Sequence, residues 1–359
     1  MLRRRTVILG TLGGGAAALT LGSRSASAAN ISLLETGSTL LYPLFNLWVP
    51  KYTAEHPGIH ITTQGTGSGT GIAQAISGVA HIGASDAYMS NAQVKRDPDI
   101  LNIPLAISAQ TLNYNVPQLN NASLKLSGPV LAGIYSGKVT HWNDPAIAKI
   151  NPGVKLPAHQ ITPIHRTDGS GDTFIFSQYL SFSTPSWANG VGYGTTLSWP
   201  PVRGGIGAIG NPGMVQASGQ TPYSIAYIGV SFHTEIAKAG LGTAMLKNRD
   251  GNFVLPTAKT VGDAAAALEG KTPPDERISL IFAPGTNSYP IINYEYAIVN
   301  AKQPSGEIAS ALRDFLAWAV DPDGGNAPSF LDAVRFLPLP PKIAALSKQQ
   351  IAKIGSKVG

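Results

Sequence analysis

Short apolar runs rich in β-formers alternate along the chain with segments of helical periodicity. Runs of the first kind begin at Ile31, Ile59 and His81, each close to an amphipathic stretch. Between 41 and 52, Leu41, Leu44, Phe45, Trp48 and Val49 fall at i, i+3, i+4, i+7 and i+8, which predicts a helix with Pro43 in its first turn. A second helix is predicted from about Gly71 to Val79, with Ile72, Ile76 and Val79 on one face. A third starts near Thr173, placing Ile175, Tyr179 and Phe182 on one side. Alternation of this kind is the pattern of an α/β protein. No fixed-period repeat and no low-complexity linker divides the chain, so two lobes built from it share crossing strands.

Composition narrows the picture. With 359 residues, 43% hydrophobic and 13% charged, the chain supports two cores and is neither disordered nor a multi-span membrane protein. Cysteine is absent, which excludes disulfide frameworks, thiolate metal sites, cysteine catalysis and a cysteine-linked lipid anchor. The 26 basic residues exceed the 20 acidic ones by six, but Arg3, Arg4, Arg5 and Arg24 stand in an acid-free N-terminal segment. Without those four the excess is two, so the charge does not indicate a nucleic-acid partner. Residues 1–28 read as an export signal: a basic start, an apolar stretch from Val7 to about Leu21, and a small-residue close at Ala26, Ser27 and Ala28. Arg4 and Arg5 before Thr6, Val7 and Ile8 fit a twin-arginine address. The remainder is expected to work as a periplasmic or secreted protein.

The candidate chemistry lies in three clusters, each directly before a predicted helix: Thr36 to Thr39, Gly65 to Gly71, and Asp168 to Thr173. Glycine admits close backbone approach, Ser and Thr add hydroxyls, and a helix start offers free N–H groups, so each is a candidate anion cradle. A Walker A loop is excluded because Ala265 stands where the first glycine before Gly270 is required. The dinucleotide fingerprint fails at Thr70 and Ile72. Neither Ser68 nor Ser170 sits in a nucleophile elbow, and the seven histidines are scattered. His165, beside Arg166, reads as a packing histidine, and Trp48, Trp142, Trp187 and Trp318 read as core. No catalytic residue, metal or cofactor is assigned.

The strings ETGSTLLYPLFNLW, QGTGSGTGIAQAISG, IGASDAYMS, HRTDGSGDTFIFSQYL and YPIINYEYAIVN resemble the phosphate-binding proteins of the PstS family, most closely the actinobacterial branch, over nearly all of the chain after residue 28. The resemblance implies an α/β, two-lobed periplasmic-binding-protein fold of type II character, with the ligand in the inter-lobe cleft and two crossing strands as hinge. It implies lobe I over 30–112 plus 294–359 and lobe II over 113–293. It also implies the ligand set: Thr39 and the backbone of Leu40, Ser68, the acceptor Asp86, the charged donor Arg166, Ser170, Gly171 and Asp172. Ser38, Gly69, Asp168 and Thr173 stand in support, Asp168 by orienting Arg166. Asp172 departs from the threonine common in the family, and an Asp172 carboxylate pointing inward would accept a second proton and favour H2PO4⁻.

Neutral N–H and O–H donors can surround a dehydrated tetrahedral anion without burying several full charges. Asp86 then discriminates: phosphate near neutral pH has a proton to donate to it, whereas sulfate brings only lone pairs against a buried carboxylate. The implied function is capture of inorganic phosphate for the permease subunits of an ABC importer, by a monomer. The competing readings are a receptor for another oxyanion, a secreted phosphatase and an adhesion module.

Overall fold

The computed structural model describes residues 30–119 and 124–357, and the export signal read over 1–28 lies outside the described residues. The first strand, β1 (Ile31–Gly37), is followed by α1 (Tyr42–Glu55), β2 (Ile59–Thr62), α2 (Ser68–Ser77) and β3 (Ile82–Ser85). The long β4 (Ile100–Asn115) leads to α3 (Gly128–Tyr135), β5 (Thr162–Arg166), α4 (Gly171–Ser183), β6 (Ile206–Ala208), α5 (Gly210–Gln220) and β7 (Ser224–Gly229). Then come α6 (Ala258–Glu269), the return strand β8 (Ile292–Asn300), α7 (Gly306–Ala319) and α8 (Pro341–Ile351).

The main sheet runs β2-β1-β3-β8-β4-β7-β5-β6, with Gly242–Thr243 added against β4. At one flank β2, β1 and β3 are parallel, and at the other β7, β5 and β6 are parallel. The two flanks meet at β4, which pairs with β8 from Ile100 to Ala109 and with β7 from Gln110 to Asn115. This is the two-lobed α/β arrangement, joined where one strand changes partner. The β4–β8 register slips between Glu295 and Tyr296, opposite Ala106 and Pro104. Proline has no N–H for the ladder, and a bulge is the usual way to accommodate it.

The α1 stripe behaves as its spacing predicts: Leu41, Leu44, Phe45 and Trp48 are buried, and the Trp48 indole donates to Gly325 O at 2.8 Å. Trp142 and Trp187 are buried as well, and Trp318 packs half-buried against the same core. Two predicted helices shift. The second runs from Ser68 and ends where Gly78 adopts a left-handed C-cap, leaving Val79 beyond it and 58% exposed. The third starts at Gly171, because the Ser170 hydroxyl caps the Thr173 N–H at 3.1 Å, and Phe182 is exposed rather than on the buried side.

Two buried carboxyls stand apart from any ion pair. Glu35, in β1, accepts from the Thr63 hydroxyl, and Glu276 accepts from Ser347 at 2.9 Å, yet Glu35 Oε1 and Glu276 Oε2 have no donor. Burial outweighs these hydrogen bonds and pushes each carboxyl from the ordinary 4.5 up to about 8. The native state therefore holds protons that the unfolded chain releases. This contribution to stability is complete below about pH 4.5 and is lost as pH rises through about 8. The expected result is a melting temperature that falls between pH 5.5 and 9, and that falls less in Glu35→Gln and Glu276→Gln. Calorimetric scans of the three chains across that range check it, and parallel curves would refute it.

Candidate functional site

The flanking strands end towards one place. Ser38 and Thr39 follow β1, Ser68 follows β2 at the start of α2, and Asp86 follows β3; Arg166 closes β5, Ser170 to Thr173 follow it, and Asn211 follows β6 at the start of α5. Ligands of open α/β sheets bind outside the carboxyl ends of parallel strands, where chain directions diverge and helix N-termini gather. The three glycine-rich clusters thus converge from both sides of the β4 junction.

On the first side, the Ser38 hydroxyl donates to Asp86 Oδ1 and accepts from the N–H groups of Leu40 and Leu41, each at 3.0 Å. The Leu40 N–H is thereby engaged inside its own turn, whereas the sequence reading has it facing a ligand. The Ser68 hydroxyl accepts from the Asp86 N–H at 3.2 Å and keeps its own proton to donate. Ser38, Ser68 and Asp86 are all at most 2% exposed. On the second side, Arg166 is 3% exposed and chelated: Nε and Nη2 donate to the two oxygens of Asp168, and Nη1 donates to Asp172 Oδ2 at 2.9 Å. The Ser170 hydroxyl, capping α4, likewise retains its proton. Thr173 turns away to the Tyr227 hydroxyl at 2.8 Å, and the same hydroxyl accepts from the Arg166 N–H. His165 packs against Trp199, with ring centroids 5.1 Å apart, as a packing histidine does.

The two sides touch through their backbones. The Gly69 N–H donates to Gly169 O at 2.8 Å, and a Cβ on Gly69 would meet Gly169 Cα at 3.0 Å. No side chain fits between these turns. The Ser231 hydroxyl donates to Leu40 O at 2.7 Å, and Thr39 Oγ1 accepts from Asn211 through N–H at 3.1 Å and Nδ2 at 3.0 Å. All twelve residues singled out from the sequence fall in this one cluster.

Asp172 does not present an open carboxylate. Its Oδ2 accepts from Arg166 and from Asn211 Nδ2 at 2.7 Å, and its Oδ1 accepts from Gln110 Nε2 at 2.9 Å. An inward second proton acceptor at 172 is thus replaced by a group that binds the arginine. Asn211 and Gln110, which sequence reading missed, are the residues that hold it there. The helix-opening Gly-Asn-Pro at 210–212 is a detectable signal for Asn211. Gln110 has none, because its role depends on lying where β4 changes partner.

Burial would raise the Asp168 carboxyl, but the hydrogen bond and charge of Arg166 and the Gly210 N–H bring it below its ordinary range. Burial keeps Asp172 raised, the Arg166 charge and the two amides offsetting it in part. Asp86 is raised well above its ordinary value by burial, then by the charges of Glu295 and Asp172. One guanidinium thus faces several carboxyls, so attraction for an anion comes from hydrogen-bond donors, not from net positive charge.

Comparison with known proteins agrees with the two-lobed fold. Residues 23–323 match the model of the PBP superfamily domain. The chain is 34% identical over 97% of its length to the phosphate-binding protein PstS of Methanocaldococcus jannaschii, covering 92% of that protein. It is also 34% identical over 86% of its length to PstS of Pasteurella multocida, covering 86% of that protein. Among solved structures, a high-affinity periplasmic phosphate-binding protein, PfluDING, bound with phosphate, superposes with a TM-score of 0.71 at 20% identity. That match covers 92% of this chain and all of the other.

Proposed function

We propose that this chain, which belongs to the PstS family of phosphate-binding proteins, captures inorganic phosphate outside the cytoplasm and delivers it to an ABC-type importer. The observation that carries the reading is the buried Asp86 carboxyl, bonded through its N–H to the Ser68 hydroxyl and packed across the cleft against Gly171, at the strand ends where Ser170 and the chelated Arg166 also stand. Donors surround the oxygens of a tetrahedral ion, and Asp86 accepts the proton that phosphate carries and sulfate lacks. Thr39, Ser68, Arg166, Ser170 and Gly171 are the direct ligands in this reading. Ser38, Asp168, Asp172, Thr173 and Asn211 hold them, and Leu40 acts through its backbone once the Ser38 turn relaxes. The protein acts as a receptor, because Asp86 accepts a proton that the ligand keeps.

The lobes comprise 30–112 plus 294–359 and 113–293, hinged where β4 changes partner and the chain returns into β8. Closure is secured by the contacts of Gly69 with Gly169, Thr39 with Asn211 and Leu40 with Ser231. Release requires their separation by hinge bending at the permease.

Calorimetric titration at pH 7 of the protein stripped of bound ion tests the reading, with phosphate first and sulfate second. Phosphate is expected to bind at about micromolar Kd or tighter, near −8 kcal/mol, with no heat from sulfate. In Asp86→Asn the amide donates where the carboxylate repelled, so sulfate affinity should rise by about 10- to 100-fold while phosphate weakens. Equal binding of both ions by the unaltered chain would replace phosphate with oxyanions in general.

A further inference from the structure

Behind Asp86 lies a second carboxyl that the ligand set does not use. Glu295, on β8, is fully buried and within hydrogen-bonding reach of the Asp86 side chain. Its Oε1 accepts from the Ser108 hydroxyl at 2.5 Å and from Asn293 Nδ2 at 3.0 Å, and Asn293 also reaches Asp86 O at 3.4 Å. Asn293 and Glu295 lie two apart on one strand face, opposite Ser108 on β4, beside the register slip at Glu295 and Tyr296. Bulges commonly re-aim a side chain next to a functional site. Asp86 Oδ2 and Glu295 Oε2 are both buried with no donor among their neighbours. Two carboxylates in contact, each with an unpartnered oxygen, are reconciled by one proton held between them.

We propose that Glu295 is a positioning residue for the Asp86 filter, sharing one proton with it so that Asp86 offers an acceptor oxygen to phosphate while the pair carries a single negative charge. This inference rests on the phosphate reading above. The other charges near the pair are Asp172 across the cleft and Arg166 and Asp168 beyond it. β3 and α2 carry no ionisable side chain, and β4 has only Tyr114 at its far end. Of the charged residues on α6, Lys259 and Asp263 pair with each other at the surface and Glu269 acts on Tyr294, which points away from Glu295 along the strand alternation. Burial pushes the Glu295 carboxyl from 4.5 up to about 7, against the hydrogen bonds of Asp86, Ser108 and Asn293. Loss of the shared proton on the alkaline side sets two negative charges against the anion, so binding there must first restore the proton.

The test is calorimetry of phosphate binding to the whole chain and to Glu295→Gln, from pH 6 to 9, in two buffers of different ionisation enthalpy. Phosphate speciation is common to both chains and cancels in their ratio. The unaltered chain is expected to take up an additional proton on the alkaline side, its affinity relative to E295Q falling by up to about tenfold per pH unit. E295Q, whose amide still donates to Asp86, should bind comparably at pH 6.5. Equal proton counts and parallel affinity curves overturn the role of Glu295 and leave phosphate binding standing. No phosphate heat from the unaltered chain overturns the phosphate reading itself. Where E295Q does not fold, Ser108→Ala serves: removing a hydrogen bond that lowers Glu295 should move the onset of proton uptake to higher pH, and an unchanged onset overturns the proposal.

Discussion

Arg166→Met should weaken phosphate binding by at least about 100-fold and destabilise the protein by about 3–5 kcal/mol, the cost of breaking a buried ion pair by removing one partner. The guanidinium is the hub of the second half of the site, donating three hydrogen bonds to Asp168 and Asp172. Without it, two carboxylates face the anion, and the site loses its charged donor. An effect of that size on binding is a factor of about 10² to 4 × 10³. The pH dependence also reverses. With Arg166 in place the folded Asp168 carboxyl lies below its ordinary 3.8, so it contributes stability above that value that is lost as pH falls through its folded value. In the variant, with the guanidinium gone, burial is opposed by the Gly210 N–H at Asp168 and by the Gln110 and Asn211 amides at Asp172, so Asp168 moves up and Asp172 rises further, and the loss of stability is larger at pH 8 than at pH 5. Chemical denaturation at the two pH values measures this. The double variant R166M with Asp172→Asn separates the roles: it should recover stability without recovering binding. Recovery of both would mean that Arg166 serves only to neutralise Asp172.

The second large effect is expected at Gly171. A Cβ there would lie 2.3 Å from Asp86 Oδ2, 2.4 Å from Ser68 Oγ and 2.7 Å from Asp86 Cβ, all on the opposite side of the cleft. These atoms belong to buried, hydrogen-bonded groups that cannot swing aside. Gly171 itself is the first residue of α4 and has no positive φ, so alanine suits its local conformation. Gly171→Ala should therefore melt close to the unaltered protein while phosphate affinity falls at least about 100-fold, because losing the ligand's closed cage removes several buried hydrogen bonds at about 1 kcal/mol or more each. Small-angle scattering with saturating phosphate provides the structural readout. The unaltered chain should contract and the variant should not. A variant that binds and contracts normally would show that the liganded cleft leaves more room between Gly171 and Asp86 than these distances allow.

Much of this was legible in the chain, for local reasons. The α1 stripe from Leu41 to Trp48 specifies a helix and its buried face through spacing alone. Ser/Thr/Gly clusters before helices mark backbone N–H groups without intrahelical partners, so the three cradles are visible as strings. Short-range chemistry could not reveal which hydroxyl serves a turn and which faces the cleft. Ser38 and Ser68 look alike in sequence, yet one is spent between Asp86 and two N–H groups while the other keeps its proton. Asp172 reads as an extra acceptor until Gln110 and Asn211, respectively 62 positions before it and 39 after it, are seen to hold it against Arg166. Glu295 stands in a string that resembles the family, but its contact with Asp86 exists only because β8 returns beside β3 in antiparallel register. The sequence by itself determined the α/β class, the buried face of α1 and the family, and it marked the three helix-opening Ser/Thr/Gly clusters. Only the tertiary structure decided which carboxyls meet, which donors stay free and where the lobes touch, because those depend on strand order and register that no local pattern encodes.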